Sequence, residues 1–129
     1  MQDNKENIIV DLTFAFAKDI VSFCEVLQDG KKYNLSNQLF RSGTSIGANV
    51  REAQNAESKN DFIHKMKLAA KEADETQYWL QLCHVSENYP SPLDLLEKME
   101  SIHKILSKII GSTKKSIQPE NHQITKFSN

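Results

Sequence analysis

The chain has 129 residues, 39% hydrophobic and 26% charged, with four glycines, three prolines and a formal net charge of −1. That length is ordinarily one domain burying roughly two thirds of its chain surface, and the composition excludes a disordered or collagen-like chain. No apolar run approaches the ~20 residues of a membrane span and the N-terminus has no secretory pattern, so a cytoplasmic protein without a membrane partner is expected.

The first predicted helix covers 7–29 and stops at the turn signal "DGKK". Its opening, "IIVDLTFAF", also alternates like a strand. The continuation Leu12, Phe16, Ile20, Phe23 and Leu27, at intervals of three or four, decides for helix.

The second predicted helix covers 34–56 and contains "RSGTSIGANVREA". A phosphate-binding P-loop needs GxxxxGK[ST], and a dinucleotide fingerprint needs GxGxxG after a strand. Gly43 and Gly47 fit neither pattern. On a helical wheel the segment resolves into three faces. Leu35, Leu39, Ile46, Val50 and Ala53 make a core stripe. Gln38, Arg41, Ser42, Ser45, Asn49 and Glu52 make a polar row, and Phe40, Gly43 and Gly47 form the far flank. An interior glycine costs about 1 kcal/mol relative to alanine, so a close approach of backbones should offset it. One candidate is a tight intramolecular pair with Ala69, Ala70 and Ala73 of the third helix. The other is a subunit contact at Phe40, Gly43 and Gly47.

The third predicted helix covers 59–88, with Ser58 as cap and Asp61 at the third helical position. Phe62, Met66, Ala69, Ala73 and Leu80 share one face. Leu68, Trp79 and Leu82, with Glu72 and Glu75, occupy the opposite one. A helix apolar on two sides is seldom exposed on either, so Phe40, Leu68, Trp79 and Leu82 are candidates for a homo-oligomer interface. The polar row admits two readings. It is either a structural network from Arg41 through Ser45 and Asn49 to Glu52, joined by Glu75 or Glu72, or a pore or ligand surface.

The fourth predicted helix covers 92–115, opening at Ser91-Pro92-Leu93-Asp94. Leu95, Leu96, Met99, Ile102, Leu106, Ile109 and Ile110 form its stripe. Residues 116–129 turn polar, contain Pro119 and lose periodicity, which predicts a flexible tail. Residues 1–115 thus read as an all-α, antiparallel up-down-up-down four-helix bundle.

Charge is unevenly spread along this bundle. Residues 1–30 hold two lysines against six acidic residues, a balance of −4, and residues 101–129 hold five lysines against Glu120, a balance of +4. Lys104, Lys108, Lys114 and Lys115 are the basic concentration. They read either as a solvated helix end complementing the helix dipole or as a candidate nucleic-acid surface. Cys24 and Cys83 lie inside helical patterns without zinc-like spacing and are expected as packed thiols.

Chemistry finds little support. A di-iron bundle site needs two Glu-x-x-His motifs and two further glutamates, and the sequence offers only Glu100-x-x-His103. No HExxH and no local Ser/His/Asp or Cys/His signature is present. No enzymatic activity, cofactor or metal is expected.

"QLFRSGTSIGANVREA", then "SKNDFIHKM" and "ETQYWL", resembles the bacterial four-helix-bundle proteins encoded by intervening sequences in 23S ribosomal RNA genes. That family is similar to the accessory variability determinant of diversity-generating retroelements. The resemblance spans about residues 8–112 and rests on Gln38-Leu39, Arg41-Ser42, Ser45-Ile46, Asn49, Glu52, Asp61-Phe62, Glu75 and Tyr78-Trp79-Leu80. It implies a protomer assembling into a ring-like pentamer without enzymatic activity. For the retroelement relatives it further implies binding of nucleic acid and a reverse transcriptase through a basic surface. Two departures stand out: Ala53 where the family usually has glycine, and a pI near 6.4. The expected function is therefore a non-enzymatic oligomeric scaffold or adaptor, with an unidentified protein partner. The alternative is a nucleic-acid-binding accessory factor using the basic ends of the fourth helix.

Overall fold

A computed structural model describes residues 7–128, with side chains as far as Ile117. It contains four helices: α1 (Ile8–Asp29), α2 (Tyr33–Ala53), α3 (Lys59–Val85) and α4 (Leu93–Ser128). The principal contacts run α1 with α2, α2 with α3, α3 with α4, and α4 back to α1. This is a four-helix bundle in which α1 and α3 occupy opposite corners.

The core follows the apolar periodicity. Phe16, Ile20 and Leu27 of α1 are buried against Leu39, Ile46 and Val50 of α2 and Met66, Ala73 and Leu80 of α3. Met99, Ile102 and Leu106 of α4 complete it. The strand-like opening of α1 is helical, and the one polar residue in its buried stripe, Thr13, donates back to the Ile9 carbonyl at 2.7 Å. Burying a hydroxyl is tolerable there because its hydrogen bond is internal.

Turn chemistry sets the ends. After α1, Lys32 N–H donates to the Leu27 carbonyl (2.8 Å) and Lys31 N–H to that of Gln28 (2.9 Å), a Schellman pattern. The left-handed residue of that motif is Lys31, with φ 63°, while Gly30 has φ −87°. At the start of α3 the Ser58 hydroxyl accepts from Asp61 N–H at 3.0 Å, and the Asp61 carboxylate accepts from Glu57 N–H at 3.2 Å. Two otherwise orphaned donors are satisfied at once. α3 ends at Val85, short of the expected 88, because Ser86 turns extended with φ −93° and ψ 133°. α4 begins one residue later than expected, with Leu93 N–H 3.4 Å from the Ser91 hydroxyl.

Two expectations differ from the structure. The α4 backbone remains helical to Ser128, past residue 115. Polarity removes a core-facing stripe, but Lys114 to Gln118 hold no helix breaker and the helix continues through Pro119, so loss of periodicity did not mean loss of helix. Side chains beyond Ile117 in the expected tail lie outside the described residues. The second difference concerns the glycines. A Cβ on Gly43 would lie 2.8 Å from Ile20 Cγ1, and one on Gly47 would lie 3.2 Å from the Thr13 carbonyl oxygen. The close approach is therefore between α2 and α1, not between α2 and the alanines of α3.

Candidate functional site

The most developed polar arrangement lies in the seam between α2 and α3. Arg41 on α2 reaches across to Glu75 and, at 3.5 Å, to Glu72. Trp79, one turn beyond Glu75, donates its indole N–H to the same carboxylate at 3.0 Å. Beneath this chain the Thr76 hydroxyl donates to the Glu72 carbonyl (2.7 Å) and lies 3.0 Å from the Ser42 hydroxyl, with both residues buried. Tyr78 packs edge-on against Trp79, ring centroids 5.1 Å apart. The seam thus has a buried hydroxyl pair below and a charged chain above, which together fix helix register.

The polar row divides. Arg41 and Glu75 join in the seam, but Ser45 and Asn49 turn back to carbonyls of their own helix, Arg41 and Ser45 respectively. Glu52 is exposed beside Arg51 at the other end of α2. Eleven residues along a helix is roughly 16 Å, too far for Arg41 and Glu52 to share one network. Gln38 instead lines a groove of about 360 Å³ between α2 and α3 with Asn34, Trp79, Leu82 and Tyr89. Lys32 sits over the Tyr89 ring, 4.7 Å from its centroid.

The candidate interface residues also separate. Phe40 and Leu82 are exposed, at 50% and 42%. Leu68, Trp79 and Gly47 are half-buried, and Gly43 is buried against Ile20. Gly43 is therefore part of the internal packing and not a free subunit contact.

On the opposite side of α2 lies a second groove, of about 450 Å³, lined by Val10, Phe14 and Ala17 of α1 and Thr44, Ala48 and Arg51 of α2. Phe14 is 59% exposed, and the Arg51 guanidinium lies 5.3 Å from its ring centroid. Sequence reasoning missed this face. The signal was present: Val10, Phe14, Ala17 and Val21 recur at four, three and four residues, a second stripe on α1 beside the buried one.

Lys104, Lys108, Lys114 and Lys115 are all exposed. The fold adds to them from α3. Lys67 adjoins Lys114 and lowers its pKa below the ordinary lysine value, and Lys59 donates to the Ser116 hydroxyl at 3.1 Å. At the other end of α4, Lys98 bridges Asp19 (2.7 Å) and Asp94 (3.0 Å).

His103 does not pair with a second Glu-x-x-His motif. Its Nδ1 lies 3.7 Å from Asp74, and its buried Nε2 has no hydrogen-bond partner. Among the described residues no three His, Cys, Asp or Glu side chains are grouped to hold a metal. Cys24 and Cys83 are buried free thiols whose pKa values burial raises. Cys24 and Ser36 exchange hydrogen bonds, each donating to the other's carbonyl. Among the described residues no helix is long and apolar enough to cross a membrane.

Fold and seam together define an all-α four-helix bundle protein with a polar seam between α2 and α3. The chain belongs to the 23S rRNA-intervening sequence protein family, whose model matches residues 5–111. It is similar to a Bacteroides thetaiotaomicron protein of unknown function from the S23 ribosomal protein family, whose crystal structure was solved at 1.70 Å. The two share 40% identity and a TM-score of 0.76, over 80% of this chain and 98% of that one. Comparison with curated proteins gives no match.

Proposed function

We propose that the chain is the protomer of a ring-like homo-oligomer, up-down-up-down in topology, that acts in the cytoplasm as a non-enzymatic scaffold or adaptor. The observation that carries this reading is the distribution of exposed apolar side chains. Phe14, Val21 and Phe40 flank the α1/α2 groove, while Tyr78, Leu82 and Val85 lie on α3. Exposed apolar faces of this kind mark association surfaces. Two different faces on one protomer favour head-to-tail contacts, which close into rings. The family resemblance suggests five subunits. Native mass spectrometry at low salt tests the reading: a discrete closed oligomer is expected, and a monomer at micromolar concentration would overturn it.

A second reading is favoured by the lysines that α3 adds to α4. Lys59, Lys67, Lys108, Lys114 and Lys115 lie toward one end of the bundle, and a ring would repeat them in every subunit. This supports a nucleic-acid-binding accessory role like that of the retroelement relatives. RNA retained in the same mass spectra, with affinity falling steeply as salt rises, would support it. Affinity insensitive to salt would overturn it.

A further inference from the structure

We propose that the outer faces of α1 and α3 are the two halves of one interface, so that α1 of each copy docks against α3 of the next at equal height. This inference rests on the ring reading and names the surfaces that close it.

The heights come from contacts inside one chain. Ile20 abuts Gly43, and the neighbouring Ser42 lies against Thr76. Ile20 and Thr76 therefore share a level. The partner of Ile20 on α2 lies before that of Thr13, so α1 and α2 run in opposite directions. α3 and α4 do likewise, because Lys59 meets Ser116 while Asp74 meets His103. α2 and α3 are joined by the short turn at 54–58, with Ser42 against Thr76 far from it, so they too are antiparallel. α1 and α3 consequently run in the same direction, and a residue of α1 is level with the α3 residue 56 positions later, since 76 less 20 is 56.

At that offset the exposed residues correspond. Asp11 is level with Lys67 and Lys18 with Asp74, all four exposed. Higher up, Val26 is level with Leu82, and both are exposed. Two opposite-charge matches and one apolar match thus recur in one register. Both charge pairs are spaced by seven residues, which keeps them on one face of each helix.

Because α1 and α3 occupy opposite corners, these residues cannot meet within a chain. They can meet between copies, and rotation about an axis parallel to the bundle preserves height. Lys67 adds a reason of its own. It lies against Lys114, so an acidic side chain arriving from a neighbour relieves a like-charge contact already present.

The test uses the full chain with Lys18→Cys and Asp74→Cys together, oxidised and run on a denaturing gel without reductant. A disulfide needs Cα atoms within about 7 Å, which opposite corners of one bundle do not allow. A ladder of covalent multimers ending at the native subunit number is expected. Monomer bands alone, from a protein still oligomeric by native mass spectrometry, would overturn the interface and leave the ring reading intact. A monomeric wild type would overturn both. As a second measurement, Asp11→Lys should weaken assembly at least tenfold, and adding Lys67→Asp should restore most of it. Failure of restoration, with helical content unchanged, would also count against the interface.

Discussion

The indole N–H of Trp79 and the guanidinium of Arg41 converge on the same oxygen of Glu75, one from within α3 and the other from α2. Replacing that carboxylate separates its two duties. A glutamine at this position could still accept from the indole but could not form an ion pair with Arg41, whose side chain is 52% exposed. Glu75→Gln should therefore cost about 1 kcal/mol or less, shrinking in high salt. Glu75→Ala also orphans the half-buried indole and should cost about 1–2 kcal/mol. Denaturant melts at two salt concentrations, followed by Trp79 fluorescence, check both values.

The helical glycines should respond in opposite directions. Alanine at Gly43 or Gly47 drives a methyl group into Ile20 or the Thr13 backbone. Overpacking of this kind costs about 1–3 kcal/mol. The Gly43 variant can be partly relieved by Ile20→Val, whereas backbone at Thr13 offers no such relief. Gly111 has nothing within 4 Å of an added Cβ, so Gly111→Ala should stabilise by up to about 1 kcal/mol through helix propensity alone. Thermal melts of the three single variants decide the signs.

The turn after α1 carries its left-handed residue at Lys31, next to a glycine that does not use its freedom. Lys31→Gly should raise stability by roughly 0.5–1 kcal/mol, because glycine suits that backbone without a Cβ penalty. Gly30→Ala should be close to neutral, since its added methyl would meet only ordinary contacts at 3.6 Å and beyond. Reversed outcomes in chemical denaturation would refute the assignment.

Lys98 supplies a pH signature. Hydrogen bonds to Asp19 and Asp94 raise its pKa above the ordinary lysine value. A folded value above the unfolded one means the stabilisation is fully present below the ordinary lysine range and disappears as pH rises through the folded value. All three side chains are substantially exposed, so the contribution is at most about 1 kcal/mol. Lys98→Met should be slightly less stable than wild type at neutral pH and indistinguishable from it in strong alkali. Paired melts across that range check it.

The helices were legible because their buried stripes repeat at three and four residues, from Phe16 to Leu27 and from Leu95 to Leu106. The capping arrangement at Ser58 and Asp61 was equally local. What a single helix cannot disclose is which neighbour it faces. A wheel placed Gly43 and Gly47 on one flank of α2, but only the fold shows Ile20 and Thr13 there. The same limit applies to the polar row, where angular agreement concealed the axial distance between Arg41 and Glu52. Phe14 was overlooked because Leu12, Phe16, Ile20, Phe23 and Leu27 defined the α1 stripe and drew attention from the second one beside it.

The reciprocal bonds between Cys24 and Ser36 close a segment of only twelve residues. Closing so short a loop has a small entropic cost, and contacts of low sequence separation form early. The first two helices can therefore zip together from their turn toward Gly47 and Thr13 using neither α3 nor α4. During synthesis this hairpin would stand ready as a template while the second half of the chain is still emerging. Pulse-labelled hydrogen exchange should find α1 and α2 protected ahead of the other two.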